Sequence, residues 1–149
     1  MKIQAQCQIN APKDEVFKAF SDLSNLEHNV QAITKVEILT SAEEIGVGTK
    51  FKETRVMFGK EASEVMEITG FSPSDHIREE AHSNGMHYIS DWRFSEDNGQ
   101  TKVTIDFSGQ ANSFFAKVTS ALFFFMAGSM KKAFEKDMND LKVKLEMNS

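Results

Sequence analysis

The stretch IREEAHSNGMHYISDWRFSEDNGQTKVTIDF, residues 77–107, decides the fold because it holds two Asn-Gly pairs between alternating apolar and polar residues. Asn-Gly is the strongest short-range hairpin signal, since both residues tolerate the positive φ of a tight two-residue turn. The pairs Asn84-Gly85 and Asn98-Gly99 therefore predict three consecutive antiparallel strands.

The two turns also determine which residues face each other across the predicted strands. The first turn places Ile77 opposite Trp92, and the second places Trp92 opposite Ile105. Both hairpins therefore assign Trp92 to the same side of the sheet, which we call the inner face. The other side chains on this face are those of Glu79, Ala81, Tyr88, Ser90, Phe94, Val103 and Phe107.

Two more turns extend the predicted sheet toward the N-terminus. A two-residue loop at Gly59-Lys60 would place Arg55 opposite Glu64, and a four-residue loop at residues 72–75 would join that hairpin to the next one. The apolar side chains directed inward by this register are those of Phe51, Met57, Met66 and Ile68. The hairpins thus predict one antiparallel sheet with one inner face.

The N-terminal third supplies the remaining elements. Apolar and polar residues alternate from Ile3 to Ile9, which predicts a half-buried strand with Cys7 on its inner side. Pro12 marks the first turn of a helix. A short second helix over Asp22–His28 and a strand near Lys35–Leu39 are expected to follow.

The segment VTSALFFFMAGSM, residues 118–130, carries no charge. A membrane span needs about 20 apolar residues, so this window is too short to cross a bilayer. Downstream, an apolar stripe at helical spacing follows at Phe134, Met138, Leu141 and Leu145. One long C-terminal helix is therefore expected, with a first half that is apolar around most of its circumference.

Three adjacent phenylalanines, Phe123–Phe125, lie about 100° apart around that helix, so a single sheet cannot cover all three. At least one of them is expected to face a ligand entrance, a membrane surface or a partner chain. A homodimer, or a transient contact with a membrane or another protein, is the corresponding expectation.

Composition narrows the function classes. The net charge of −5 and the scattered distribution of the 17 Lys and Arg residues disfavour nucleic acid as a partner. Cys7 is the single cysteine, and the N-terminus lacks the apolar core of a signal peptide, so a cytoplasmic location is expected. No cofactor or metal is expected, because His82 and His87 face each other without an evident third ligand nearby.

The order of these elements resembles the START-like superfamily, and within it the polyketide cyclase/dehydrase and lipid-transport proteins. The resemblance rests on residues 9–29, INAPKDEVFKAFSDLSNLEHN, and residues 46–77, GVGTKFKETRVMFGKEASEVMEITGFSPSDHI, and extends over the whole chain. It implies an α+β helix-grip fold in a single domain over residues 1–149. In that fold a curved antiparallel sheet of about seven strands wraps around a long C-terminal helix, with a hydrophobic cavity between them.

Members of that superfamily bind or carry apolar molecules, act on polyketides, or contact other proteins, so the resemblance does not choose one activity. We expect a small hydrophobic ligand in the cavity, for transport, sequestration or sensing. The residues expected to contact it are Phe51, Arg55, Met57, Met66, Ile68, Glu79, Tyr88, Ser90, Trp92, Phe94, Ile105, Phe107, Leu122, Phe124 and Phe125.

The charged residues on the inner face leave alternatives open. Arg55 and Glu64 could form an ion pair near the hairpin tip, be rotated outward by a bulge, or orient a ligand in the cavity. Glu79 could serve a polyketide cyclase or dehydratase as its acid/base, or simply hold a ligand by hydrogen bonding. A third alternative is a module that docks on a protein partner through the apolar C-terminal helix.

Overall fold

The computed structural model describes residues 2–41 and 43–147, and for residues 115–125 the backbone alone. A curved seven-stranded antiparallel sheet is combined with a C-terminal helix of 34 residues, which is the helix-grip architecture that the resemblance implies. The strands are β1 Lys2–Ile9, β2 Ile33–Ile38, β3 Lys50–Met57, β4 Lys60–Ser72, β5 His76–Ser83, β6 Met86–Asp97 and β7 Gln100–Ala111, in the spatial order β1-β7-β6-β5-β4-β3-β2. The helices are α1 Lys13–Ser21, α2 Leu26–Asn29, preceded by a 3₁₀ turn at Leu23–Asn25, and α3 Phe114–Met147.

Both Asn-Gly turns form as predicted. Asn84 and Gly85 have φ values of 52° and 76°, and Asn98 and Gly99 have φ values of 51° and 80°. These are the positive φ angles that a type I′ turn requires at both central residues. The resulting registers are those expected, with Ile77 opposite Trp92 and Trp92 opposite Ile105.

The turn between β3 and β4 differs from the prediction by one position. Its central residues are Phe58 and Gly59, with φ values of 53° and 76°, so Arg55 lies opposite Ala62 and not opposite Glu64. Glycine occupies the second turn position here, as it does in the two Asn-Gly turns. The pairing moves by two residues, and because side chains alternate with a period of two, the inner face keeps its residues.

The connection between β4 and β5 differs from the prediction in two ways, and the two differences cancel in the pairing of Ile68 with Glu79. The loop has three residues, Pro73–Asp75, where four were predicted, and a β-bulge interrupts β4 between Ile68 and Gly70. Before the bulge, Ile68 lies opposite Glu79, as the sequence predicted. After the bulge the alternation is reversed, so Phe71 packs inward against Phe17 of α1, with ring centroids 5.3 Å apart.

The core lies between the inner face and the helices. In α3, Met138 and Leu141 of the predicted stripe are 0% and 3% exposed, and the helix packs against β1 and β7. On α1, Phe17 packs edge-on against Phe94 at 5.2 Å. These helices leave an unfilled space over the middle of the inner face.

Candidate functional site

A cavity of about 340 Å³ lies between the inner face of the sheet and α3. Its wall is mainly apolar, with Leu23, Leu26 and Val30 on the helical side. Four inner-face positions on β4, β5 and β6 carry small side chains, which leaves room beneath α3. They are Ala62, Ala81, Ser83 and Ser90.

Most residues expected at the ligand site border this cavity. They are Arg55, Met57, Met66, Ile68, Glu79, Tyr88, Ser90, Trp92 and Phe107. Phe51, Phe94 and Ile105 share the inner face but lie in the packed core, at 0%, 4% and 0% exposure, and do not border the cavity. For Phe94 the reason is that Phe17 and Phe20 of α1 cover it. The side chains of Leu122, Phe124 and Phe125 lie outside the described residues.

Asp137 is absent from the predicted ligand site, but it borders the cavity from α3 and is only 7% exposed. Charged residues such as Lys136 lie next to it in the sequence, a pattern typical of a solvated helix face. The spacing indicates the apolar face instead. Asp137 follows Phe134 by three residues and precedes Leu141 by four, so the three share one helix face. The other helical contributors are Phe20, Ser21, Met130, Phe134 and Leu141.

Aromatic rings form one side of the wall. Trp92 packs against Phe20 at 5.6 Å and against Phe134 at 6.4 Å between ring centroids. Phe107 lies 5.2 Å from Phe134 and stacks on Tyr88 at 5.7 Å. These contacts hold the sheet and α3 together and give a ligand a flat apolar surface.

A buried ion-pair network lies on the β3 side of the cavity. Arg55 donates from Nε to Glu53 Oε2 over 3.1 Å and from Nη2 to Asp137 Oδ2 over 2.7 Å. Burial raises the pKa of Glu53 and of Asp137, although the Arg55 charge opposes the rise. Burial alone would lower the pKa of Arg55, but the two carboxylates raise it above its ordinary value. The network joins α3 to the sheet and keeps Arg55 positively charged.

Glu64 lies directly opposite Glu53, on β4. Burial raises the pKa of Glu64, the nearby Glu53 charge raises it further, and a hydrogen bond from Ser83 opposes both effects. Within the described part of the chain, Glu64 Oε1 and Asp137 Oδ1 are buried and have no hydrogen-bond partner. A buried acceptor left unpaired costs about 1–3 kcal/mol, so two of them beside one cavity call for an explanation.

Glu79 lies on β5, opposite Ser90, and borders the cavity. Burial raises the pKa of its carboxyl to about 7, and the charge of Glu53 contributes to the rise. A hydrogen bond from Trp92 and the charge of Arg55 act in the opposite direction. Glu79 therefore exists in both protonation states near neutral pH, so it can donate or accept a proton there.

The two histidines considered as metal ligands lie on the outer face. The rings of His82 and His87 stack at 4.3 Å, and His87 Nε2 lies 2.7 Å from Glu80 Oε1. Among the residues that the structure describes, no group of three or more His, Cys, Asp or Glu side chains could hold a metal ion. None of the helices in the described residues has the length and hydrophobicity of a membrane span.

Comparison with known proteins gives one family match. Residues 1–146 match the family described as polyketide cyclase / dehydrase and lipid transport. A search of the curated proteins found no match.

Several solved structures share the fold. TTHA0849 from Thermus thermophilus is 18% identical with a TM-score of 0.79, covering 100% of this chain and 99% of its own. A START superfamily protein from Mycobacterium smegmatis is 10% identical with a TM-score of 0.77, covering 99% of each chain. Major latex-like protein 151 from Panax ginseng is 11% identical with a TM-score of 0.75, covering 97% of each chain. At these identities the likeness supports the fold alone.

Proposed function

Because the chain belongs to the polyketide cyclase / dehydrase and lipid transport family, we propose that it binds a small hydrophobic ligand between the sheet and α3, for transport, sequestration or sensing. The observation that carries the proposal is the cavity of about 340 Å³, which has a mainly apolar wall and a few polar groups. This volume falls in the range of about 300–1,000 Å³ typical of sites for small molecules.

Native mass spectrometry of the protein purified from its source, followed by organic extraction, tests whether an apolar molecule is carried. Titration with a fluorescent hydrophobic dye such as ANS tests whether the cavity is accessible. We expect a bound mass in the first measurement and saturable fluorescence in the second. The absence of both a co-purifying molecule and dye binding would contradict the proposal.

A cavity-blocking variant locates the binding. Ser90→Leu replaces a hydroxymethyl side chain with the larger isobutyl side chain at an inner-face position that borders the cavity, whereas Ser95→Leu makes the same change at an exposed position of the same strand. Dye binding should be lost in Ser90→Leu and kept in Ser95→Leu, with both proteins folded by circular dichroism. Equal dye binding by the two variants would mean that the dye binds outside the cavity.

A second candidate is a polyketide cyclase or dehydratase, and the observation that favours it is the pKa of Glu79, about 7, beside the cavity. General acid/base catalysis works best when the pKa of the catalytic group lies near the working pH. With a polyketide-like substrate, Glu79→Gln should abolish turnover and leave substrate affinity nearly unchanged. Unchanged turnover would remove Glu79 from this role.

A further inference from the structure

The cavity carries more negative than positive groups. Carboxyls from Glu53, Glu64, Glu79 and Asp137 border it, whereas Arg55 supplies the only side-chain cation among the described residues that line it. Glu80 also borders the cavity, but its carboxylate pairs with His87. Arg55 is already engaged by Glu53 and Asp137. Within the described part of the chain, no lining cation therefore forms an ion pair with Glu64 or Glu79, although Ser83 and Trp92 donate neutral hydrogen bonds to them and the charge of Arg55 acts on Glu79.

The acidic groups form one cluster around Glu53. Glu64 lies directly opposite Glu53 in the sheet, and Glu53 also acts electrostatically on Glu79 and is influenced by Asp137. Burial is the main effect that disfavours the ionised forms of these carboxyls, and their like charges add to that penalty. A cation placed among them would offset both effects by favouring the ionised forms.

Two buried oxygens point to the kind of ligand group that fits. Asp137 has a side chain only 9% exposed, and its Oδ1 has no hydrogen-bond partner among the described residues. Glu64 Oε1 is also buried and has no hydrogen-bond partner among the described residues. A carboxylate oxygen accepts hydrogen bonds and cannot donate them, so the missing partner is a donor.

We infer that the ligand is an apolar molecule bearing a protonated amine, whose ammonium group is held by Glu64 and the neighbouring inner-face carboxyls. This inference rests on the proposed function, since it names the class of molecule that the cavity takes. An ammonium group offers hydrogen-bond donors and the missing positive charge together. A fatty acid or another anionic lipid would bring a further negative charge beside the same carboxyls, so the cavity selects against it.

The test uses three probes with the same hydrocarbon chain: decylamine, decanol and decanoate. Near pH 7 the amine is a cation and the carboxylate an anion, because their pKa values lie near those of Lys and Glu, about 10.4 and 4.3. Isothermal titration calorimetry below the micelle concentration gives each affinity. We expect decylamine to bind at least about tenfold more tightly than decanol, and decanol more tightly than decanoate.

A matched pair of variants assigns the effect to the cavity. Glu64→Gln removes an inner-face charge of β4, and Glu67→Gln removes an outer-face charge of the same strand. The side chain of Glu67 is 42% exposed, and its Oε1 lies 3.7 Å from Lys50 Nζ. Glu64→Gln should weaken decylamine binding about tenfold and leave decanol binding unchanged. Glu67→Gln should leave both unchanged.

The outcomes separate the two proposals. Binding of decanol and decanoate at least as tight as that of decylamine would overturn the amine inference and leave the hydrophobic cavity standing. Decylamine binding that does not change in Glu64→Gln would also overturn it. Failure of all three probes to bind would overturn the proposed function, and this inference with it.

Discussion

At Glu79, burial and a neighbouring charge act in the same direction. Both favour the neutral carboxyl and raise its pKa from 4.5 to about 7. The folded protein therefore holds a proton that the unfolded chain releases above about pH 4.5. Arg55, which lies on β3, opposes this rise in the pKa of Glu79. The pKa values of Glu53, Glu64 and Asp137 are also raised.

Glu79 should make the protein less stable as pH rises. Because the native state binds the additional proton, the free energy of unfolding falls between about pH 4.5 and 7, by about 3 kcal/mol from this residue. Glu79→Gln should flatten that part of the pH profile measured by urea unfolding. Glu67→Gln is the outer-face control and should keep the wild-type slope. Parallel profiles for the wild type and Glu79→Gln would contradict the assignment.

Arg55 is expected to be essential to stability because two buried carboxylates depend on it. Arg55→Met leaves Glu53 and Asp137 without their cation, which should lower the free energy of unfolding at pH 7 by about 3–5 kcal/mol. The triple variant that adds Glu53→Gln and Asp137→Asn should recover much of that loss. A cost below about 1 kcal/mol for Arg55→Met, in chemical denaturation, would show that the network is unimportant.

At the scale of elements, turn chemistry explains which hairpins the sequence predicts. Asn tolerates the left-handed conformation, so each Asn-Gly pair identifies its turn and register. Phe58 occupies the same conformation with φ of 53°, which is unusual for a bulky residue, and its identity gives no turn signal. The β3–β4 turn was therefore misplaced by one residue.

Replacing Phe58 should stabilise that hairpin. Phe58→Asn relieves a strained left-handed residue whose side chain is half exposed, so the free energy of unfolding should rise by roughly 1 kcal/mol in thermal or urea unfolding. The reverse change at an equivalent turn position, Asn98→Phe, should lower it. A loss of stability in Phe58→Asn would mean that packing of the phenyl ring outweighs the backbone strain.

At the scale of the whole molecule, alternation along the strands predicts which face a residue joins but not how deep it lies. Phe94 and Trp92 share the inner face, yet Phe94 is covered by α1 and Trp92 borders the cavity. Depth depends on where the helices cross the sheet, and local sequence does not encode the crossing. Spacing places Asp137 on the same helix face as Phe134 and Leu141, but how deeply it is buried follows from the position of α3.

Ligand binding should stabilise the whole fold. A ligand that binds only the native state at a hundredfold excess over its Kd adds about 2.7 kcal/mol to the free energy of unfolding. We expect the best-binding probe of the decyl series to raise Tm in differential scanning calorimetry. Ser90→Leu should lose this shift and Ser95→Leu should keep it. An equal shift in both variants would mean that the probe acts outside the cavity.

The β-bulge of β4 has a consequence for how the sheet assembles. A regular strand can slide past its neighbour by two residues and still present the same faces, so an even-numbered slip is the error that alternation alone does not prevent. The irregularity between Ile68 and Gly70 lies where β4 passes Glu79 and Arg78 of β5, and a bulge pins the register of the strands that it joins. It therefore opposes a two-residue slip of β4 on β5 and helps to keep Glu79 opposite Ile68, beside the other carboxyls of the cavity.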